Sequence, residues 1–90
     1  MPDTPYIAAT ILTLLAARAP DASICPSEVA RAIAPNGWRP LMPAVREVAR
    51  RLAREGRLEL RQRGATIAPD ADVKGPIRLA RPAHVIDRRL

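Results

Sequence analysis

The side chains able to do chemistry are few and mostly of one kind. Fourteen arginines and a single lysine stand against nine acids, giving a formal net charge of +6 at pH 7. Guanidinium groups form forked hydrogen bonds to phosphates and carboxylates, so this surplus points to an anionic partner. Between Arg39 and Arg63 there are eight arginines and three acids, so most of the excess lies in one stretch of chain. The other reactive types are isolated. Cys25 is the only cysteine and His84 the only histidine. A lone thiol can form no internal disulfide and no Cys-based zinc site, and it fits a reducing, cytoplasmic setting. Cys25 precedes a helix, where the dipole can activate a thiol, but its role is read as packing in a strand-to-helix corner. His84 falls in a terminal tail and forms no triad or metal set. Asp70 and Asp72 share a polar loop without further oxygen donors and are read as solvated. The four glycines are isolated, so no phosphate-cradling loop is present. No enzyme activity, catalytic residue, metal or cofactor is expected.

The elements that must hold these groups can be read from periodicity and punctuation. Thr4 as N-cap and Pro5 at the first helical position open a helix with Ile7, Ile11, Leu14 and Leu15 on one face, ending near Arg18. Ser23-Ile24-Cys25 is a short extended bridge. Pro26 starts a second helix with Glu28 in its first turn and Val29, Ala30 and Ile33 inward. Pro35-Asn36-Gly37 is a turn, and a third helix runs from about Leu41 to Glu55, with Gly56 as its stop.

Beyond Gly56 the period changes to two. Arg57, Glu59 and Arg61 alternate with Leu58 and Leu60 as a half-buried strand. Arg63-Gly64 is a turn, 65–68 a short extended piece, and Pro69 to Gly75 a polar loop. A second alternating strand follows at Pro76 to Leu79. This order predicts an α+β winged helix, in which a three-helix helix-turn-helix core is completed by a C-terminal β-hairpin wing. It occupies residues 1–80, and 81–90 form a loose tail. Ninety residues allow one core, and the longest apolar stretch, from Tyr6 to Ala17, is too short to span a bilayer. No membrane association is expected.

Placed at 100° per residue, the third helix separates three strips. Leu41, Met42, Val45, Val48, Ala49 and Leu52 form the buried arc. Arg46, Arg50 and Arg54 follow at about 0°, 40° and 80°. Glu47, Arg51 and Glu55 come next, at spacings that favour pairing among themselves. The Arg46-Arg50-Arg54 row has no such partner, and an anion laid along it would relieve its self-repulsion. The expected function is therefore a nucleic-acid-binding module, a possible transcriptional regulator. Duplex DNA would be held by Arg39, Arg46, Arg50 and Arg54 of the third helix region, and by Arg57, Arg61 and Arg63 of the wing with Lys74. No Asn, Gln, Ser or Thr on that face could read bases, so weak sequence selectivity is as compatible as strong. Trp38 is read as a packing anchor. The alternative function is a protein-interaction or homodimerisation module, because Ala8, Leu12 and Ala16 make a second small-residue strip on the first helix.

Residues 24–31 (ICPSEVAR), Trp38 to Met42 with Val45-Arg46, and Gly75 to Leu79 resemble a family of short bacterial proteins of unknown function, regarded as winged-helix-like. The resemblance covers about residues 7–79. It implies the fold and carries no ligand or catalytic residue.

Overall fold

The structure, a computed structural model, describes residues 3–82. In chain order the elements are α1 (Thr4–Ala16), β1 (Ser23–Ile24), α2 (Pro26–Ile33), a 3-10 turn (Arg39–Leu41), α3 (Met42–Arg54), β2 (Glu59–Gln62), β3 (Ala65–Ile67) and β4 (Arg78–Ala80). The domain is therefore α+β, with three helices and a four-stranded antiparallel sheet in the order β1-β4-β2-β3.

Local chemistry sets most boundaries. Asp3, not Thr4, caps α1: its carboxylate accepts the Tyr6 N–H at 3.0 Å. The stronger acceptor wins the cap, and Pro5 still falls within the first turn, where its missing N–H costs nothing. The helix ends at Ala16, two residues before the expected stop. In α2 the Glu28 carboxylate folds back to accept the Cys25 N–H at 2.9 Å, as in a capping box. The end of α3 is a Schellman-type closure, with Arg57 N–H donating to Leu52 O at 2.9 Å around Gly56 at φ +77°.

The core is one aliphatic cluster. Ile7, Ile11 and Leu15 from α1 meet Val29 and Ala30 of α2, and Val45, Val48, Ala49 and Leu52 of α3. The sheet adds a ladder of side chains in register across all four strands: Ile24, Leu79, Leu60 and Ile67. Burying each such side chain stabilises by about 1.5–3 kcal/mol. Among the described residues no polar or charged residue is fully buried.

Two features depart from the sequence reading. The short extended piece at 65–67 is a strand that pairs with the outer edge of β2, so the chain passes from β2 to β4 through β3 and a long strap, residues 68–77, rather than through a simple hairpin loop. Arg81, expected to begin a loose tail, donates to the carbonyls of Leu15, Ala16 and Arg18 at the end of α1. The rest of that expected tail, 83–90 with His84, lies outside the described residues.

Candidate functional site

The arginine row of α3 is where the sequence placed the site, and the fold does not leave that row uncovered. Arg50 Nη1 donates to the Pro69 carbonyl at 3.1 Å and to that of Ala71 at 2.8 Å. Arg54 pairs with Asp70 at 2.6 Å and with Glu47 at 3.4 Å. Arg46 makes one long bond, 3.4 Å, to the Gly75 carbonyl. The strap thus runs along the row, and the expectation that these three guanidiniums lack partners is corrected. Asp70 likewise is not merely solvated. Its hydrogen bond holds the Arg54 guanidinium above its ordinary pKa. The self-pairing strip does not form as expected either: Glu47 goes to Arg54, and Glu55 to Arg57 at 3.6 Å. Arg51 and Asp72 have no ion pair among the described residues.

The wing cations divide in the same way. Arg61 pairs with Glu59 at 3.2 Å, and Thr66 Oγ1 donates to the same carboxylate. With Arg57 on Glu55, both are locally neutralised. Arg63, in contrast, sits at the tip of the β2–β3 hairpin, with no carboxylate partner among the described residues and φ +54°. Gln62 draws the end of the strap towards this tip, its Nε2 donating to Lys74 O at 2.7 Å and Pro76 O at 3.3 Å. Arg46 reaches the adjoining Gly75 carbonyl from α3. Arg46 thus contacts the backbone that carries Lys74, and Arg63 follows Gln62 in the chain; among the described residues none of the three has an acid partner.

A second group of cations without an ion pair among the described residues lies at the turn into α3. The guanidinium carbons of Arg31 and Arg39 are 4.4 and 4.5 Å from the centroid of the half-buried Trp38 ring. No acid occurs in the chain between Glu28 and Glu47. Trp38 thus does more than anchor packing: it orients two cations by cation–π contact. Sequence reading missed Arg31, for which the signal was a tryptophan on the far side of the turn. It also missed Gln62, whose role depends on a contact 12 residues away.

Cys25 accepts a hydrogen bond from Arg78 Nη1 at 3.0 Å, while Arg78 also holds Ser23 through its hydroxyl and carbonyl. These contacts fasten β1 to β4 at the α2 N-terminus. Glu28, bonded to the Cys25 N–H and to Arg18 at 2.6 Å, has its pKa lowered, chiefly by the backbone bond. An open, largely apolar hollow of about 390 Å³ lies beside Ala53, Leu58, Ile67 and Pro69. Among the described residues no group of three His, Cys, Asp or Glu could hold a metal ion.

On α1, Ala8 and Leu12 are half-buried against the core, so the second strip is partly consumed by the domain itself. Tyr6 is the large hydrophobic left exposed there, at 53%. No helix of the described residues is long and apolar enough to cross a membrane.

The sequence profile of a family described as "Protein of unknown function (DUF3253)" matches residues 4–82. The chain belongs to this family. The DUF3253 match begins with α1 and runs through β4 to Arg81 and Pro82, so it takes in every element described above. No curated protein is significantly similar to the chain.

Proposed function

We propose that this DUF3253 domain is a winged helix that binds duplex nucleic acid through the backbone phosphates. In this reading α2 and α3 are the helix-turn-helix, and β2, β3 and β4 with their connections are the wing. The contacts come from Arg31 and Arg39 at the turn, Arg46 on α3, and Arg63 with Lys74 on the wing. The observation that carries the reading is the separation of charge. Arg54, Arg57 and Arg61 are met by Glu47, Asp70, Glu55 and Glu59, whereas these five, like Arg51, have no acid partner among the described residues. Duplex backbones are recognised by such cations irrespective of sequence.

The mode differs from deep insertion of α3 into a groove. The outward face of α3 carries exposed Pro43, Glu47 and Arg51, with Glu55 just past its end, and two carboxylates facing the groove would repel phosphates. Shallow contact by the N-terminal end of α3 and the hairpin tip avoids that repulsion, and it favours weak sequence selectivity.

A salt titration with random duplex DNA, duplex RNA and single strands tests the proposal. Affinity for a duplex should fall by about 0.9 log unit per log unit of salt for each phosphate contact. Arg39→Ala and Arg46→Ala should each weaken binding and flatten the slope by about one contact. Arg57→Ala and Arg61→Ala should change it little. Unchanged duplex affinity in a folded Arg39→Glu, Arg46→Glu, Arg63→Glu chain would sink it.

A further inference from the structure

The strap covers the row formed by Arg50 and Arg54, yet the way it is covered resembles the binding of a ligand. Two neighbouring guanidiniums on one helix face receive three oxygens from consecutive residues: the Pro69 carbonyl, the Asp70 carboxylate and the Ala71 carbonyl. A phosphodiester would offer the same donors one anionic and further neutral or shared oxygens. We propose that Arg50 and Arg54 are a second phosphate-binding row, and that Asp70 of the strap occupies it as a built-in substitute for phosphate until a polyanion displaces it.

The hold on the strap suits exchange. Of residues 68–76 none is fully buried, and Val73 is the side chain that packs against the core. What fastens the segment to α3 is polar and charged, and such bonds can be traded for equivalent ones at little net cost. Asp70 is 76% exposed at its side chain and Arg54 40%, so an incoming anion can reach the pair without unfolding the domain. Arg46, already among the cations proposed to touch the duplex, lies one turn before Arg50 on the same helix and bonds the far end of the strap. A backbone bound at Arg46 is therefore led directly onto the covered row. The inference rests on the nucleic-acid reading and specifies how that site is regulated: binding proceeds from an outer contact to an extended one, and strap and duplex exclude each other on α3.

The test compares wild type with Asp70→Ala and Asp72→Ala. Both changes remove one negative charge from the strap, but Asp72 has no ion pair among the described residues. Asp70→Ala should bind random duplex DNA about fivefold more tightly, the factor expected for loss of an exposed competing ion pair. Its salt slope should steepen by about one phosphate contact. Asp72→Ala should show a smaller gain with the wild-type slope. Amide exchange at Ala71, whose N–H bonds the Ala68 carbonyl in wild type, should quicken when DNA is added. Equal gains with unchanged slopes in both variants, at matched melting temperatures, would overturn the competitor role and leave the outer contact standing. Failure of all three chains to bind at low salt would overturn the nucleic-acid reading itself.

Discussion

Arg81 Nη2 donates to the Leu15 carbonyl at 3.1 Å, joining the end of β4 to the end of α1 across 66 residues of chain. The same nitrogen reaches Ala16 and Arg18 carbonyls at 3.0 and 2.8 Å. Helix α1 has no basic residue in its last turn and no glycine after it; the Arg18 N–H reaches the Leu15 carbonyl, and this external fork adds charged donors to Leu15, Ala16 and Arg18 carbonyls. Charge-assisted bonds of this kind contribute about 1.5–3 kcal/mol each way the partner is removed. Arg81→Ala should lower the unfolding free energy in urea by about that amount, without changing the m-value. Arg81→Lys should recover less than half, because a single ammonium lacks the paired Nε and Nη2 donors that both reach the Leu15 carbonyl. Equal stability of all three chains would show that water caps α1 as well as Arg81 does.

Glu28 gives the fold a dependence on acid. Its carboxylate is stabilised in the folded state chiefly by the Cys25 N–H; burial opposes this as the next largest effect, Arg18 and then Arg78 add smaller stabilising ones, and the pKa is lowered. A group with a depressed folded pKa stabilises fully above its unfolded value, and the effect is lost as pH falls through the folded value. Wild type should therefore exceed Glu28→Gln in melting temperature at neutral pH. The gap should close as pH drops below the usual glutamate range. A gap that stays constant from neutral pH down to pH 3 would mean that the charge contributes nothing.

Trp38 provides a probe of the proposed interface. With two guanidiniums over its ring, at 4.4 and 4.5 Å, its emission should change when phosphates draw Arg31 or Arg39 away. Titration with duplex DNA should shift the fluorescence along the same isotherm as direct binding. In Arg31→Ala, Arg39→Ala the shift should vanish and affinity should fall by the equivalent of about two phosphate contacts in slope. A full fluorescence response in that double variant would remove the Trp38 turn from the contact surface.

The fold was legible where local chemistry decides it. Pro26 with Glu28, Gly56, and the alternation around Leu58 and Leu60 each mark an element whose structure depends on neighbours within a few residues. The coverage of α3 was not legible. Arg50 finds its acceptors 19 and 21 residues away, and they are backbone carbonyls, which every residue has and no sequence pattern reports. Asp70 in isolation looks like a solvated loop acid, because its partner is set by where β3 places the strap. Reading charge along a single helix identified the row correctly as a set of neighbours, and failed on what faces it.

Arg63 tests whether function has been kept at the expense of the fold. The hairpin joins Gln62 to Ala65 through two residues, Arg63 and Gly64, with φ of +54° and +82°. Positive φ at both central positions is the type I′ pattern, for which Asn-Gly is the favoured pair. A side chain other than Asn, Asp or Gly in that conformation costs roughly 1 kcal/mol. Arg63 gains no compensating ion pair among the described residues. Arg63→Asn should therefore stabilise the domain by about 0.5–1 kcal/mol while weakening duplex binding and removing about one contact from the salt slope. Gly64→Ala should do the opposite to stability. Its Cβ would meet nothing within 4 Å, so the loss, again roughly 1 kcal/mol, would come from backbone conformation alone. If Arg63→Asn gained stability and bound duplex as tightly as wild type, the hairpin tip would lie outside the interface, and the contact surface would contract to α3 and the Trp38 turn.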